Sequence, residues 1–254
     1  MNPNPELAID HVCKRGERSR AVRRIQEWLV LNGQAVATDG AFGPATEAAV
    51  RRFQQLRRLK ADGVVRKDTF DALVEPMEAA LARLTRAPAQ LGACVVAHAR
   101  RHLEQHPREV GGENAGPWVR LYMDGHEGPE WRWCAGFASF VLRQACATLD
   151  RPLPMPVSFS CDVLATTARA TNLLVPGRGA RPDRVVPGSL FLVRRTASDW
   201  VHVGIVLKAD QESMRTVEGN TNDSGSPDGF EVCERTRNYA GKDFVVWDPG
   251  SAPA

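Results

Sequence analysis

Long apolar runs are missing from this 254-residue chain. No stretch reaches the roughly 18 apolar residues that a membrane-spanning helix needs, so no membrane insertion is expected. The opening residues, MNPNPELAIDHVCKRGERSR, lack the apolar core of a secretory leader, and the mature chain is expected to begin at or near Met1. Charge of one sign is also scarce. The 33 Lys and Arg against 30 Asp and Glu leave only +3, which argues against the concentrated basic face of a nucleic-acid binder. The six cysteines are too sparse for a disulfide scaffold, and Cys13, Cys94, Cys134, Cys146, Cys161 and Cys233 contain no C-x-x-C pair of the structural-zinc kind. Cysteine usage and the missing leader favour synthesis in a reducing cytosol. A cysteine in special surroundings is then a candidate nucleophile.

What is present is ordinary globular composition, 43% hydrophobic and 25% charged. This excludes disordered, collagen-like and coiled-coil chains. The length suggests two modest domains.

An internal repeat runs from about Ser19 to Leu73. The segment Asp39 to Val50 aligns with Asp62 to Leu73, each copy reading as an Asp-Gly turn, an apolar residue, a helix opening near Thr and an apolar pair. Gly accepts the positive φ of such a turn, and Asp bonds its own backbone. Val22, Ile25, Leu29 and Val30 form a helical stripe before the first turn, and Val50, Phe53 and Leu56 form one between the turns. Apolar residues at this spacing, Phe42 included, are read as core. A small all-α bundle is expected. Arg51, Arg52, Arg57, Arg58 and Lys60 lie between the repeats and are read as a solvated helix face before an anion site.

The run Asp39 to Gln54 resembles the peptidoglycan-binding domain found on many cell-wall hydrolases. That resemblance implies wall binding by the polar turn residues Asp39, Gly40, Gly43 and Thr46. The second copy departs from the pattern at Arg66, which stands where the first has Gly43. If Gly43 served close backbone approach, the second turn would be the poorer binder.

A helix is expected over Glu75–Thr85 with Pro76 in its first turn, and Arg86 to Gln90 breaks the pattern. The domains are therefore placed at 19–75 for the bundle, 76–90 for a helical linker and 91–250 for a larger second domain. In the latter, helices are expected at Leu91–Leu103 and Ala135–Leu149, and short strands at Ser189–Val193, Val201–Leu207, Arg215–Val217, Phe230–Cys233 and Phe244–Trp247. Helices first and strands later predict an α+β domain with an antiparallel sheet. By count, residues 1 to 90 hold 15 basic and 11 acidic side chains, and the remainder 18 and 19.

Cys134 follows two tryptophans and opens an apolar-periodic segment. Unpaired N–H groups and the positive end of the dipole at a helix start favour thiolate. A nucleophilic cysteine needs a base and a group that orients it. His202 sits in an alternating strand with Trp200 and Gly204, and Glu218 or Asn220 on the next strand can lie beside it. The order Cys, His, carboxylate or amide is that of papain-like proteases.

Residues Leu91 to Trp247 resemble the CHAP family of cysteine- and histidine-dependent peptidoglycan amidohydrolases and peptidases, which has a papain-like α+β fold. The likeness rests on Gly112-x-Asn114-x-Gly116-Pro117, Trp133-Cys134-Ala135 with Phe137, His202-Val203-Gly204 and Glu218-Gly219-Asn220. It implies Cys134 as nucleophile, His202 as base, Glu218 as orienting carboxylate and Asn220 as a helper. Trp133, Trp200 and Trp131 are candidate walls of a substrate groove. No cofactor and no metal are implied. His98, His102 and His106 are read as an exposed histidine stripe before a zinc site, and the acidic loop Asp124–Glu130 lacks the alternating carboxylates of a calcium site.

The expected function is amide cleavage in the stem peptide of bacterial peptidoglycan, by a monomer, as amidase or endopeptidase. A phage lysin or a delivered toxin would need no leader. The rivals are a non-catalytic wall-binding component of a phage tail or secretion machine, and a zinc peptidase using the histidine stripe.

Overall fold

A computed structural model of the chain describes residues 5–177, 184–222 and 229–247. Residues 1–4 and position 250, the expected end of the second domain, lie outside them. In chain order the helices are α1 (Arg20–Leu31), α2 (Pro44–Leu56), α3 (Lys67–Leu81), α4 (Leu91–Glu104), α5 (Pro117–Tyr122), α6 (Cys134–Thr148) and α7 (Cys161–Ala170). The strands are β1 (Leu174–Val175), β2 (Leu190–Thr196), β3 (Asp199–Ala209), β4 (Ser213–Thr221), β5 (Glu231–Asn238) and β6 (Lys242–Val245). No helix among the described residues is long and apolar enough to cross a membrane. The chain divides into two units, Met1–Ala82 with Arg108–Pro129, and Arg83–Pro107 with Glu130–Ala254.

The first unit is helical. The Ser19 hydroxyl caps α1 by accepting the Val22 N–H. Val22, Ile25, Trp28 and Leu29 of α1, Ala49, Val50 and Phe53 of α2, and Phe70, Leu73, Val74 and Met77 of α3 are buried. Each large apolar side chain removed from water contributes roughly 1.5–3 kcal/mol. The expected stripe stops short of Leu56, which ends α2 and is 71% exposed. The helix expected over Glu75–Thr85 is not separate. Pro76 lies inside α3, because the buried face of Phe70, Leu73 and Val74 continues through Met77 and Ala80. That packing outweighs the one helical hydrogen bond a proline removes.

The two repeat turns share a lock built on a buried glutamine. Gln26 accepts the Gly40 N–H (2.8 Å) and donates to Asp39, the Ala41 carbonyl and the Thr46 hydroxyl at 2.9–3.0 Å. Gln54 accepts the Gly63 N–H (2.9 Å) and donates to the Val64 carbonyl and Thr69 hydroxyl. Gly40 and Gly63 have φ of 73° and 74°, the left-handed region that favours glycine. The unit also holds Arg120 of α5, whose guanidinium binds Glu6, Glu27 and Glu127 at 2.7–2.9 Å.

The second unit is a six-stranded antiparallel sheet, ordered β1-β6-β2-β3-β4-β5, with helices. Helix α6 packs against α4, β3 and β4. Its Ala135, Phe137, Ala138, Val141, Leu142 and Ala145 are all buried, as expected for a helix covered on more than one side. Phe191, Val206, Met214, Phe244, Val185 and Val246 form another apolar cluster. Helices α5 and α7 and strand β1 had no counterpart in the sequence reading. All three are short or lack a long apolar period. The histidine stripe is not exposed. His98 bonds the Thr148 hydroxyl and His102 the Gln144 amide, both at 2.8 Å, and burial pulls both imidazoles down to about 4. Only His106, with φ 49°, remains at the surface.

Candidate active site

Cys134 is the first residue of α6, preceded by Trp133 as N-cap. The Trp133 side chain makes no capping hydrogen bond to the helix start. Instead Asn220 reaches across from β4, and its Oδ1 accepts the Trp133 N–H at 2.8 Å. Asn220 adopts φ 54° and anchors its amide nitrogen on the Gly229 carbonyl at 3.1 Å. This asparagine holds the start of the helix and does not orient the histidine.

The carboxylate that meets His202 is that of Glu218. His202 Nε2 bonds Glu218 Oε2 at 2.8 Å, with the two residues 2% and 0% exposed. The other Glu218 lone pairs are taken by the Thr216 hydroxyl (2.6 Å) and by Arg237 through Nε (2.8 Å) and a terminal nitrogen (2.6 Å). A buried carboxylate needs this degree of compensation. His202 Nδ1 is buried without a hydrogen-bond partner. With Nε2 engaged by Glu218, Nδ1 is the nitrogen left to exchange a proton with a thiol.

Two glycines make the approach possible. A Cβ on Gly204 would lie 2.6 Å from the Phe191 ring and 2.7 Å from Glu218 Cγ. A Cβ on Gly219 would lie 2.8 Å from both Phe137 Cβ and the Trp133 ring. Gly204 therefore leaves room for the Glu218 side chain, and Gly219 lets the first turn of α6 rest on β4. The β2–β3 register shifts beyond the Val193–His202 pair, a bulge of the kind that re-aims side chains.

The protonation states follow from these contacts. The Cys134 thiol is held well below its ordinary range by a hydrogen bond from Cys161, then by His202 and the Val203 N–H, which together outweigh burial. Burial alone would depress His202, but Cys134 and Glu218 outweigh it and hold the imidazole up at about 9. Burial likewise opposes ionisation of Glu218, yet Arg237 and His202 bring it down to about 2. These shifts favour thiolate, imidazolium and carboxylate in series, backed by a guanidinium. It can deliver a nucleophilic sulfur and return a proton.

Sequence reasoning missed three contributors. Cys161 opens α7, and its sulfur lies 3.8 Å from that of Cys134. Its own thiol is pushed well above the usual range, first by the bond to Cys134 and then by burial, so it remains a donor. Arg237 and Thr216 complete the cradle of Glu218. Nothing local marks these residues, since each reaches the site through sheet register or helix packing.

The tryptophans are a correction. Trp133 is fully buried, and Trp200 is 4% exposed with Nε1 donating to Asp243 at 2.9 Å. Both rings are core and do not wall a groove. Trp131 is half-buried and packs edge-on against Phe159, with centroids 6.4 Å apart.

In the first unit, Gly40 and Thr46 are buried within the glutamine lock, so their side of the turn is scaffold and no ligand surface. Asp39 is exposed, and its Oδ1 accepts the Ala41 N–H. Gly43 is the N-cap of α2 with φ −89° and ψ −175°, and a Cβ there would meet nothing. Arg66, its counterpart, has φ −103° and ψ −178°, so the glycine-to-arginine difference changes no backbone geometry. Arg51 pairs with Glu47 at 2.8 Å, Arg57 with Glu75, and Lys60 with Asp62 at 3.3 Å, as in a solvated charged face.

Residues 18–73 match the family described as "Putative peptidoglycan binding domain". The chain is also similar to the zinc D-Ala-D-Ala carboxypeptidase of Streptomyces albus G, 41% identical over 63 residues, 24% of this chain. The aligned part spans a quarter (25%) of that relative's length. The matched module coincides with α1, α2 and the first half of α3, including both glutamine locks.

Proposed function

We propose that the chain is a peptidoglycan hydrolase in which the first unit binds the cell wall and the second cleaves an amide bond of the stem peptide. The observation that carries the reading is the alignment of Cys134, His202 and Glu218 at a helix start held by Asn220. The family match over residues 18–73 supports the wall as the site of action. The similarity, over a quarter of its length, to a zinc D-Ala-D-Ala carboxypeptidase is in keeping with hydrolysis in general. The second unit is assigned a papain-like CHAP fold, on the grounds of an antiparallel sheet against a helix that opens with the nucleophile.

In the proposed reaction the Cys134 thiolate attacks the amide carbonyl. The Cys134 backbone N–H stabilises the oxyanion at the start of α6. The His202 imidazolium gives its proton to the leaving amine through Nδ1, and Glu218 keeps the ring oriented through Nε2. Water, deprotonated by the now neutral His202, releases the acyl group. Asn220 is a positioning residue, because it touches the backbone before Cys134 and none of the reacting atoms. Amidase and endopeptidase activities use the same groups.

The test is Cys134→Ala in the full chain, assayed on purified cell walls. Release of soluble fragments should stop while sedimentation with the walls persists. Continued hydrolysis by the variant would remove Cys134 from the mechanism, and absence of hydrolysis by the parent protein on every wall type would favour a non-catalytic wall-binding role.

A further inference from the structure

The segment ahead of α1 gathers a second set of reactive side chains, within the first unit. His11 Nε2, Cys13 Sγ and a Glu17 carboxylate oxygen lie within 4.8 Å of one another. Their separations are 2.8 Å for nitrogen to oxygen, 3.5 Å for sulfur to nitrogen and 3.7 Å for sulfur to oxygen. A tetrahedral zinc ion with its usual bond lengths to sulfur, nitrogen and oxygen would set such edges at about 3.4–3.6 Å. Two of the three edges are therefore already in place, and the third needs a shift of about half an ångström.

The backbone presents these residues on a fixed frame. Cys13 exchanges both hydrogen bonds with Val65, just past the second repeat turn, at 2.9 and 3.0 Å. The Glu17 carbonyl accepts the Phe42 N–H, just past the first repeat turn, at 2.8 Å. Gly16, at φ 96°, makes the tight reversal between them. Cys13 is fully buried. His11 is exposed and Glu17 half-buried, so the cluster opens to solvent on one side. The second ring nitrogen of His11 bonds Asp10 at 2.6 Å, the carboxylate–histidine arrangement that orients metal-bound imidazole.

We propose that His11, Cys13 and Glu17 bind a divalent transition-metal ion of the zinc class, with water at the fourth position. The ion clasps the segment before α1 to both repeat turns. One thiolate and one carboxylate neutralise the 2+ charge, so the bound site carries no net charge in its half-buried setting. Binding displaces two protons to solvent, the Cys13 thiol proton and the His11 Nε2 proton that Glu17 accepts, and replaces the His11–Glu17 hydrogen bond with two metal bonds while Nδ1–H stays on Asp10. No redox or covalent change is involved, and the site is independent of the hydrolase reading.

The experiment uses the full chain carrying Cys134→Ala, so that the candidate nucleophile cannot report. Titration with cobalt(II) should give one equivalent bound per chain with thiolate-to-cobalt charge-transfer absorption, displaced by zinc. Cys13→Ser should abolish the band, and Asp10→Asn should weaken affinity by about 10- to 100-fold. His11→Ala, an exposed position, serves the same purpose should Cys13→Ser not fold. A protein that binds no cobalt, binds it without the thiolate band, or keeps the band in both ligand variants overturns the proposal.

Discussion

Replacing Glu218 by Gln removes a charge that three partners are built around, and its consequences can be worked through. The side chain keeps its size, but the carboxylate that accepts from His202, Arg237 and Thr216 becomes a neutral amide. Glu218 is brought from 4.5 to about 2 in the folded protein. At 1.36 kcal/mol for each pH decade, that depression corresponds to about 3 kcal/mol of stability at neutral pH. Because the folded value is the lower one, this contribution is present above pH 4.5 and disappears as pH falls through about 2. At pH 3 about 1 kcal/mol of it survives. The stability gap between parent and Glu218→Gln should accordingly shrink by about 2 kcal/mol between pH 7 and pH 3, read from urea midpoints at the two pH values. Site-resolved alkylation of Cys134 supplies the second readout. In the parent, reactivity should persist well below the ordinary thiol range and change again near pH 9, where His202 releases its proton. In the variant the upper transition should move from about 9 toward 6.5. On peptidoglycan, kcat should fall by about 10²- to 10⁴-fold with little change in KM. A gap that stays constant with pH, together with an unmoved upper transition, would refute the electrostatic account of the site.

Further outcomes follow from other contacts. Cys161→Ala removes the first contributor to the depressed Cys134 thiol, so the half-point of its alkylation should rise in pH; an unchanged profile would show that His202 suffices. Gly219→Ala forces a methyl group into Phe137 and Trp133 and should cost about 1–3 kcal/mol, with a disproportionate loss of Cys134 reactivity as the start of α6 shifts. A fully active, equally stable variant would contradict the packing argument. Arg120→Ala removes the guanidinium that Glu6, Glu27 and Glu127 share and leaves Glu27 with Arg23; chemical denaturation should show a loss of about 3 kcal/mol.

Much of the second unit could be read along the chain because its signals are local. The helix after Cys134 follows from the apolar period Phe137, Val141, Leu142, and five of the six strands from short β-branched runs. The placement of Cys134 at a helix start needed only the apolar period that opens at it. What escaped depends on distance in the chain. Cys161 lies 27 positions from its partner sulfur, and Arg237 reaches Glu218 from a different strand. Cys161 was invisible until α7 was placed beside the start of α6, and Arg237 until the register of β4 and β5 was set. The tryptophans misled for a related reason: aromatic residues beside a nucleophile resemble a groove wall, yet Gly219 admits the Trp133 ring into the core and Asp243 satisfies the Trp200 indole inside it. In the first unit the Asp-Gly turns were legible, whereas the glutamines that lock them read as ordinary polar positions on helices. Their partners lie 14 and 9 residues away, across the turn.

The central claim is that a sulfur-bound acyl intermediate forms at Cys134, and the most direct measurement is its capture. The full-length protein should be mixed with soluble muropeptides, quenched in acid within the first turnover and digested for mass spectrometry. The peptide containing Cys134 should be heavier by the acyl portion of the stem peptide, and hydroxylamine should remove the addition. Substrate consumed while that peptide stays unmodified, or an equal rate in Cys134→Ala, would contradict the account.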